Sequence, residues 1–134
     1  MGKRTILVID DDLFWHRLYI RLFDGTMYDV RTAVSCEDGV RMAEEHRPAC
    51  ILLDFHLNDG DAVDVCAALK KDGDKPRFHV IVVSSDPSAE ITAYAECKAD
   101  YFVLKGSQDM AELPKIVSEV LGDGSRRILW EPGH

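Results

Sequence analysis

The sequence has no apolar stretch long enough to cross a bilayer: its longest runs, Ala49–Leu53 (ACILL) and Val80–Val83 (VIVV), are a fraction of the roughly 20 residues a spanning helix needs. The start does not read as a secretory leader, because the apolar residues after the basic MGKR number only four, Ile6–Ile9, and end in aspartates, so none is expected. No CxxC pair occurs among the cysteines at 36, 50, 66 and 97, so neither a zinc knuckle nor a disulfide framework is indicated, and reduced thiols in a cytoplasmic protein are expected. Positive charge is scarce as well. Sixteen Lys and Arg stand against 24 Asp and Glu, a net charge of −8, which argues against a direct nucleic-acid surface and a membrane partner. No internal repeat is present, and 134 residues suit one domain.

Strand-length apolar runs recur at 5–9, 29–34, 49–53, 79–83 and 101–104, separated by segments with helical spacing. Five strands alternating with five helices predict an α/β chain, a single doubly wound (βα)5 domain. The central runs ILLD and VIVV are apolar throughout, as strands buried on both faces of a parallel sheet should be. Ser35 with Asp38 predicts a helix N-terminus, Pro48 a helix end and Pro87 a first helical turn. Asp109 with Glu112 reads as a capping box for the last helix, where Pro114 predicts a late start or a kink. The division expected is a domain at 1–121 and a C-terminal tail or linker at 122–134, which carries Arg126, Arg127 and Trp130.

In an open α/β sheet, ligands bind beyond the carboxyl ends of the strands. Polar residues stand there in four of the five cases: Asp10, Asp11 and Asp12 after the first run, Asp54 after the third, Ser84 and Ser85 after the fourth, and Lys105 after the fifth. Three adjacent carboxylates at a buried strand end repel one another, at about 4 kcal/mol per close pair for an effective dielectric near 20. Such a pocket favours a hard divalent cation held by oxygen.

The motifs VIDDD, ILLDFHLNDGDAVDV, VIVVSS and YFVLK, in this order across about residues 5–121, resemble the receiver domain of two-component response regulators. The resemblance implies a flavodoxin-like sheet in 2-1-3-4-5 order. It also implies Asp54 as phosphoacceptor and a Mg²⁺ (or Mn²⁺) ion on Asp11, Asp54 and the backbone carbonyl of His56, with Asp10 acting through water. Ser84 and Lys105 would stabilise the phosphoryl group, Ser84 and Phe102 would form the switch, and His56 and Asp86 would tune dephosphorylation. The implied partners are a histidine kinase or phosphotransfer protein, a downstream effector protein or domain, and a phosphorylation-dependent homodimer. Such a chain is a signalling phosphoprotein in a phosphorelay, not an enzyme beyond its own phosphorylation and dephosphorylation.

The chain departs from that family's pattern where Gly106, not proline, follows Lys105; a cis bond there would cost ~3 kcal/mol, so the loop should be trans or strained. Two other readings are open to the same residues. One is a receiver-fold interaction module that is never phosphorylated. The other, a haloacid-dehalogenase-like phosphatase with Asp10 as nucleophile, leaves Asp54 idle. A calcium loop in LNDGDA fails, since it would put Phe55 and Leu57 at ligand positions. Asp12 and Asp59 read as helix-cap or turn residues.

Overall fold

The computed structural model describes residues 3–70, 73 and 76–123; Arg126, Arg127, Trp130 and the rest of 124–134 lie outside the described residues. The five apolar runs form one sheet: β1 (Arg4–Ile9), β2 (Tyr28–Ala33), β3 (Cys50–Asp54), β6 (His79–Ser84) and β7 (Tyr101–Leu104). A two-residue hairpin, β4 (His56–Leu57) with β5 (Gly60–Asp61), is inserted after β3. The order is β2-β1-β3-β6-β7 with every pair parallel, which is 2-1-3-4-5 when the small hairpin is not counted. This is the flavodoxin-like arrangement.

Both faces of the sheet are covered. Leu7, Ile9, Ile51, Leu53, Val80, Val82 and Phe102 pack toward α2 (Cys36–His46), α3 (Ala62–Ala68) and α4 (Ala89–Ala95). The alternate residues Ile6, Val8, Leu52, Ile81, Val83 and Val103 pack toward α1 (Leu13–Phe23), α5 (Gln108–Ala111) and α6 (Leu113–Leu121). Alternation therefore exists in direction but not in polarity, which is why the strands read as unbroken apolar runs.

Helix α2 approaches β1 closely. A Cβ on Gly39 would lie 2.5 Å from Ile9 Cδ1, so the glycine is there for space. Gly39→Ala is expected to destabilise the domain by about 1–3 kcal/mol through overpacking, despite alanine's better helix propensity. Thermal unfolding of the variant measures it.

The helix starts follow the sequence in part. Asp12 caps α1 by accepting the N–H of Phe14 at 2.9 Å, and Ser35 caps α2 by accepting that of Asp38 at 3.0 Å. Pro87 does not open α4, which begins at Ala89; the turn before it is closed by the Asp86 carboxylate, which accepts the N–H of Ser88 at 3.0 Å. Nor do Asp109 and Glu112 form a capping box. Asp109 lies within the short α5, and the chain breaks at Glu112 so that Pro114 falls in the first turn of α6, where its missing N–H costs no hydrogen bond. Beyond α6, Asp123 accepts hydrogen bonds from Arg4 and Tyr28, tying the helix end to the start of the sheet.

All four cysteines are buried free thiols. Burial pushes the Cys36 thiol up to about 12, and that of Cys50 higher still. Among the described residues no helix is long and apolar enough to cross a membrane.

Candidate functional site

The carboxyl ends of β1, β3, β6 and β7 deliver four polar side chains to one place. Register fixes them: Ile9, just before Asp10, lies beside Leu53, just before Asp54, and Ser84 pairs with Leu104, just before Lys105. The backbone N–H of Lys105 donates to Ser84 O at 2.9 Å, so the strand pairing continues to the site.

Asp10 is 1% exposed and both carboxylate oxygens are engaged: Oδ1 accepts the N–H of Asp12 at 2.9 Å, and Oδ2 accepts from Lys105 Nζ at 2.8 Å. Lys105 Nζ also lies 3.4 Å from Asp54 Oδ2, with a side chain only 5% exposed. His16 Nε2 donates to the backbone carbonyl of Asp10 at 2.6 Å, anchoring the start of the acidic run to α1. Asp10, Asp11 and Asp54 each offer an oxygen within 4.8 Å of one another.

Lys105 thus pairs with two of three clustered carboxylates, and the imbalance shows in Asp54. Burial, then the charge of Asp10, push its carboxyl up to about 6; Lys105 opposes the rise and Asp11 adds to it. An all-oxygen set with surplus negative charge suits a hard divalent cation, so the residues present fit a metal site.

Ser84 is buried at the end of β6, and its Oγ accepts the N–H of Asp86 at 3.1 Å, which leaves the hydroxyl hydrogen to be given to an incoming anion. His56 Nε2 donates to Asp86 Oδ2 at 3.0 Å, joining the loops after β3 and β6 across the surface. Hydrogen bonds from Ser88 and His56 hold the Asp86 carboxyl down at about 2. Phe102 does not line the carboxylate cluster: its ring is buried on the α4 side of the sheet, and its N–H donates to Tyr94 Oη at 2.9 Å. The Lys105–Gly106 bond is trans, no cis bond occurring among the described residues, and Gly106 turns the chain at φ +81°.

Asp59 is a cap, as its residue type suggests, but of a distant helix: it accepts the N–H groups of Cys36 at 2.7 Å and Glu37 at 3.1 Å, so a residue of the loop after β3 caps α2. Trp15 sets its indole face 4.7 Å from Lys105 Nζ. No local pattern announces either contact.

The family model for the response regulator receiver domain matches residues 6–118. The chain belongs to this family. The receiver is 31% identical over 105 residues to the ycf27 regulator of Porphyridium aerugineum, covering 78% of this chain and 43% of that protein. It is 29% identical over 121 residues to the transcriptional regulatory protein AfsQ1 of Streptomyces coelicolor, covering 90% and 52%. The chain therefore spans about half the length of the curated relatives it matches. Among solved structures, the receiver is similar to the receiver domain of a sensor histidine kinase from Pseudomonas aeruginosa PAO1, determined with a magnesium ion coordinated in its active site cleft (TM-score 0.74, 21% identity, covering 90% and 99%). A sensor protein from Polaromonas sp. JS666 shares the fold at TM-score 0.79 and 20% identity, covering 91% and 98%. Response regulators are signalling proteins, and the receiver's acidic cluster is of the kind that can bind a metal.

Proposed function

We propose that this receiver accepts a phosphoryl group on Asp54 from the phosphohistidine of a histidine kinase or phosphotransfer protein. The observation that carries the reading is the cluster of Asp10, Asp11 and Asp54 within 4.8 Å, with Lys105 bridging Asp10 and Asp54. An Asp54 oxygen attacks phosphorus, the O–P bond forms as the N–P bond breaks, and the electron pair returns to the imidazole of the donor. Asp11, Asp54 and the His56 carbonyl would hold Mg²⁺ (or Mn²⁺), with Asp10 reached through water; the ion would neutralise the carboxylates and the phosphoryl oxygens. Lys105 holds its ammonium toward a second phosphoryl oxygen, and Ser84 donates its hydroxyl to a third.

The added charge would draw Ser84 toward the phosphoryl group and bias the face made by α4, β7 and the α5–α6 segment. Ile91, at 79% exposure, and the half-exposed Tyr94 and Tyr101 give that face apolar groups for an effector or a second copy of the chain. Phe102 packs beneath it as the switch aromatic. The domain is assigned to 1–121, the tail to 122–134, and the location to the cytoplasm, where histidine kinases place their phosphoryl donors.

Asp10 as a phosphatase nucleophile is disfavoured, because burial and two hydrogen bonds occupy both its oxygens. Incubation with beryllofluoride and Mg²⁺, followed by NMR of the Asp54 region, tests the proposal: a Mg²⁺-dependent complex is expected, and its absence would return the chain to the unphosphorylated interaction module.

The His56–Asp86 hydrogen bond spans the two loops beside Asp54 and limits the approach of water to the acyl phosphate. Removing a hydrogen bond of this kind with His56→Ala or Asp86→Ala should shorten the acyl phosphate half-life by about fivefold. Unchanged half-lives in both variants would dismiss the gate.

A further inference from the structure

Lys105 has an unusual set of neighbours for an ammonium that is 5% exposed: two carboxylates and one aromatic face. Asp10 and Asp54 are the very groups a divalent cation would claim. A cation held there would therefore weaken both ion pairs and set a like charge beside the lysine. The backbone gives little help, because the residue after Lys105 is Gly106, in a turn at φ +81°. Trp15 is the neighbour that a metal does not contest.

The indole is itself well fixed. Asp12 caps α1, the N–H of Trp15 donates to Asp12 O at 3.0 Å, and the ring packs against the buried cluster on the α1 side of the sheet. Phe14 meets it edge-on, with ring centroids 5.3 Å apart at 83°. The helix that follows the acidic run therefore presents a rigid π face to the lysine from the last strand. An ammonium 4.7 Å from the centroid of a tryptophan is within cation–π range, and the attraction grows as water is excluded.

We propose that Trp15 is a positioning residue for Lys105: its indole face holds the ammonium at the phosphoryl site when a divalent cation competes for Asp10 and Asp54. This rests on the phosphoacceptor reading of Asp54. The ring touches neither the phosphoryl group nor the metal ligands' oxygens in this scheme; it acts through the lysine. Losing it should leave metal affinity nearly unchanged while slowing phosphoryl uptake, because the ammonium is then free to leave its place.

The test uses the full chain as wild type, Trp15→Phe and Trp15→Leu. The first readout is the NMR shift of the Lys105 Hε protons, which the indole ring current should move upfield. In wild type that upfield shift is expected to persist when Mg²⁺ saturates the site, and it should be absent in Trp15→Leu. A return of the wild-type shift to the ordinary lysine value on adding Mg²⁺ overturns the proposal. The second readout is phosphoryl uptake from acetyl phosphate, alongside the Mg²⁺ dissociation constant. Trp15→Leu should slow uptake about tenfold with a Mg²⁺ constant within about twofold of wild type, and Trp15→Phe, which keeps a weaker π face, should recover most of the loss. Equal uptake in wild type and Trp15→Leu, or Trp15→Phe no better than Trp15→Leu, overturns it. Should wild type take up no phosphoryl group at all, the Asp54 reading fails, and the Hε shift in Mg²⁺ still decides whether Trp15 holds the lysine.

Discussion

Lys105→Met is expected to reduce phosphoryl uptake at Asp54 by about two to three orders of magnitude, the usual loss when a preorganised charge aimed at the reacting group is removed. The same change should destabilise the metal-free fold. Lys105 Nζ lies 2.8 Å from the buried Asp10 and 3.4 Å from the partly buried Asp54, so its loss leaves two carboxylates uncompensated. Breaking a buried pair costs about 3–5 kcal/mol. Part of this is recovered because Asp54, already raised to about 6, would move further up and take a proton more readily. A divalent cation replaces the missing charge, so Mg²⁺ should raise the melting temperature of Lys105→Met more than that of wild type. Thermal unfolding with and without Mg²⁺, beside an acetyl phosphate uptake assay, measures both effects; equal Mg²⁺ stabilisation of the two proteins would show that Lys105 does not neutralise this site.

Asp54→Asn should abolish uptake and, without metal, make the protein more stable near neutral pH. The sign follows from the raised carboxyl. A folded-state value of about 6, against an ordinary 3.8, means that the folded form binds a proton more tightly than the unfolded chain does. The resulting stabilisation is full below the ordinary value and is lost as pH rises through about 6. Above that, the charged Asp54 opposes folding, and a neutral asparagine of the same shape removes the opposition. The gain should be about 1–2 kcal/mol at about pH 7.5, allowing for partial solvation, and close to zero near pH 4. Saturating Mg²⁺ should erase most of the difference, since the ion relieves the repulsion in wild type. Thermal denaturation of both proteins across this pH range reads the effect.

The fold and the carboxylate cluster were legible in the sequence for a common reason. Strands buried on both faces leave unbroken apolar runs, and the residue that ends each run is the residue delivered to the site. Asp10, Asp54, Ser84 and Lys105 could therefore be placed together without knowing any distance, and the structure puts them there. What could not be read depends on contacts between distant segments. Asp59 was legible as a cap or turn residue, but that the helix it caps lies 22 residues earlier was not. Pro87 and the Asp109–Glu112 pair carried local signals for helix starts that the structure overrides, at Pro87 because Asp86 closes a turn first, and at Glu112 because Pro114 is better placed in a first turn than in a helix interior. Trp15 was an ordinary aromatic on an amphipathic helix until the last strand brought Lys105 beneath its ring.

If the carboxylate cluster makes Asp54 a metal-dependent phosphoacceptor, the modified residue itself can be identified. Peptide mapping after incubation with acetyl phosphate and Mg²⁺ tests this role most directly. One labile phosphoryl adduct is expected on Asp54, not formed when Mg²⁺ is chelated beforehand and absent from Asp54→Asn. No adduct, or one carried by Asp10 or Asp11 that survives in Asp54→Asn, would contradict it.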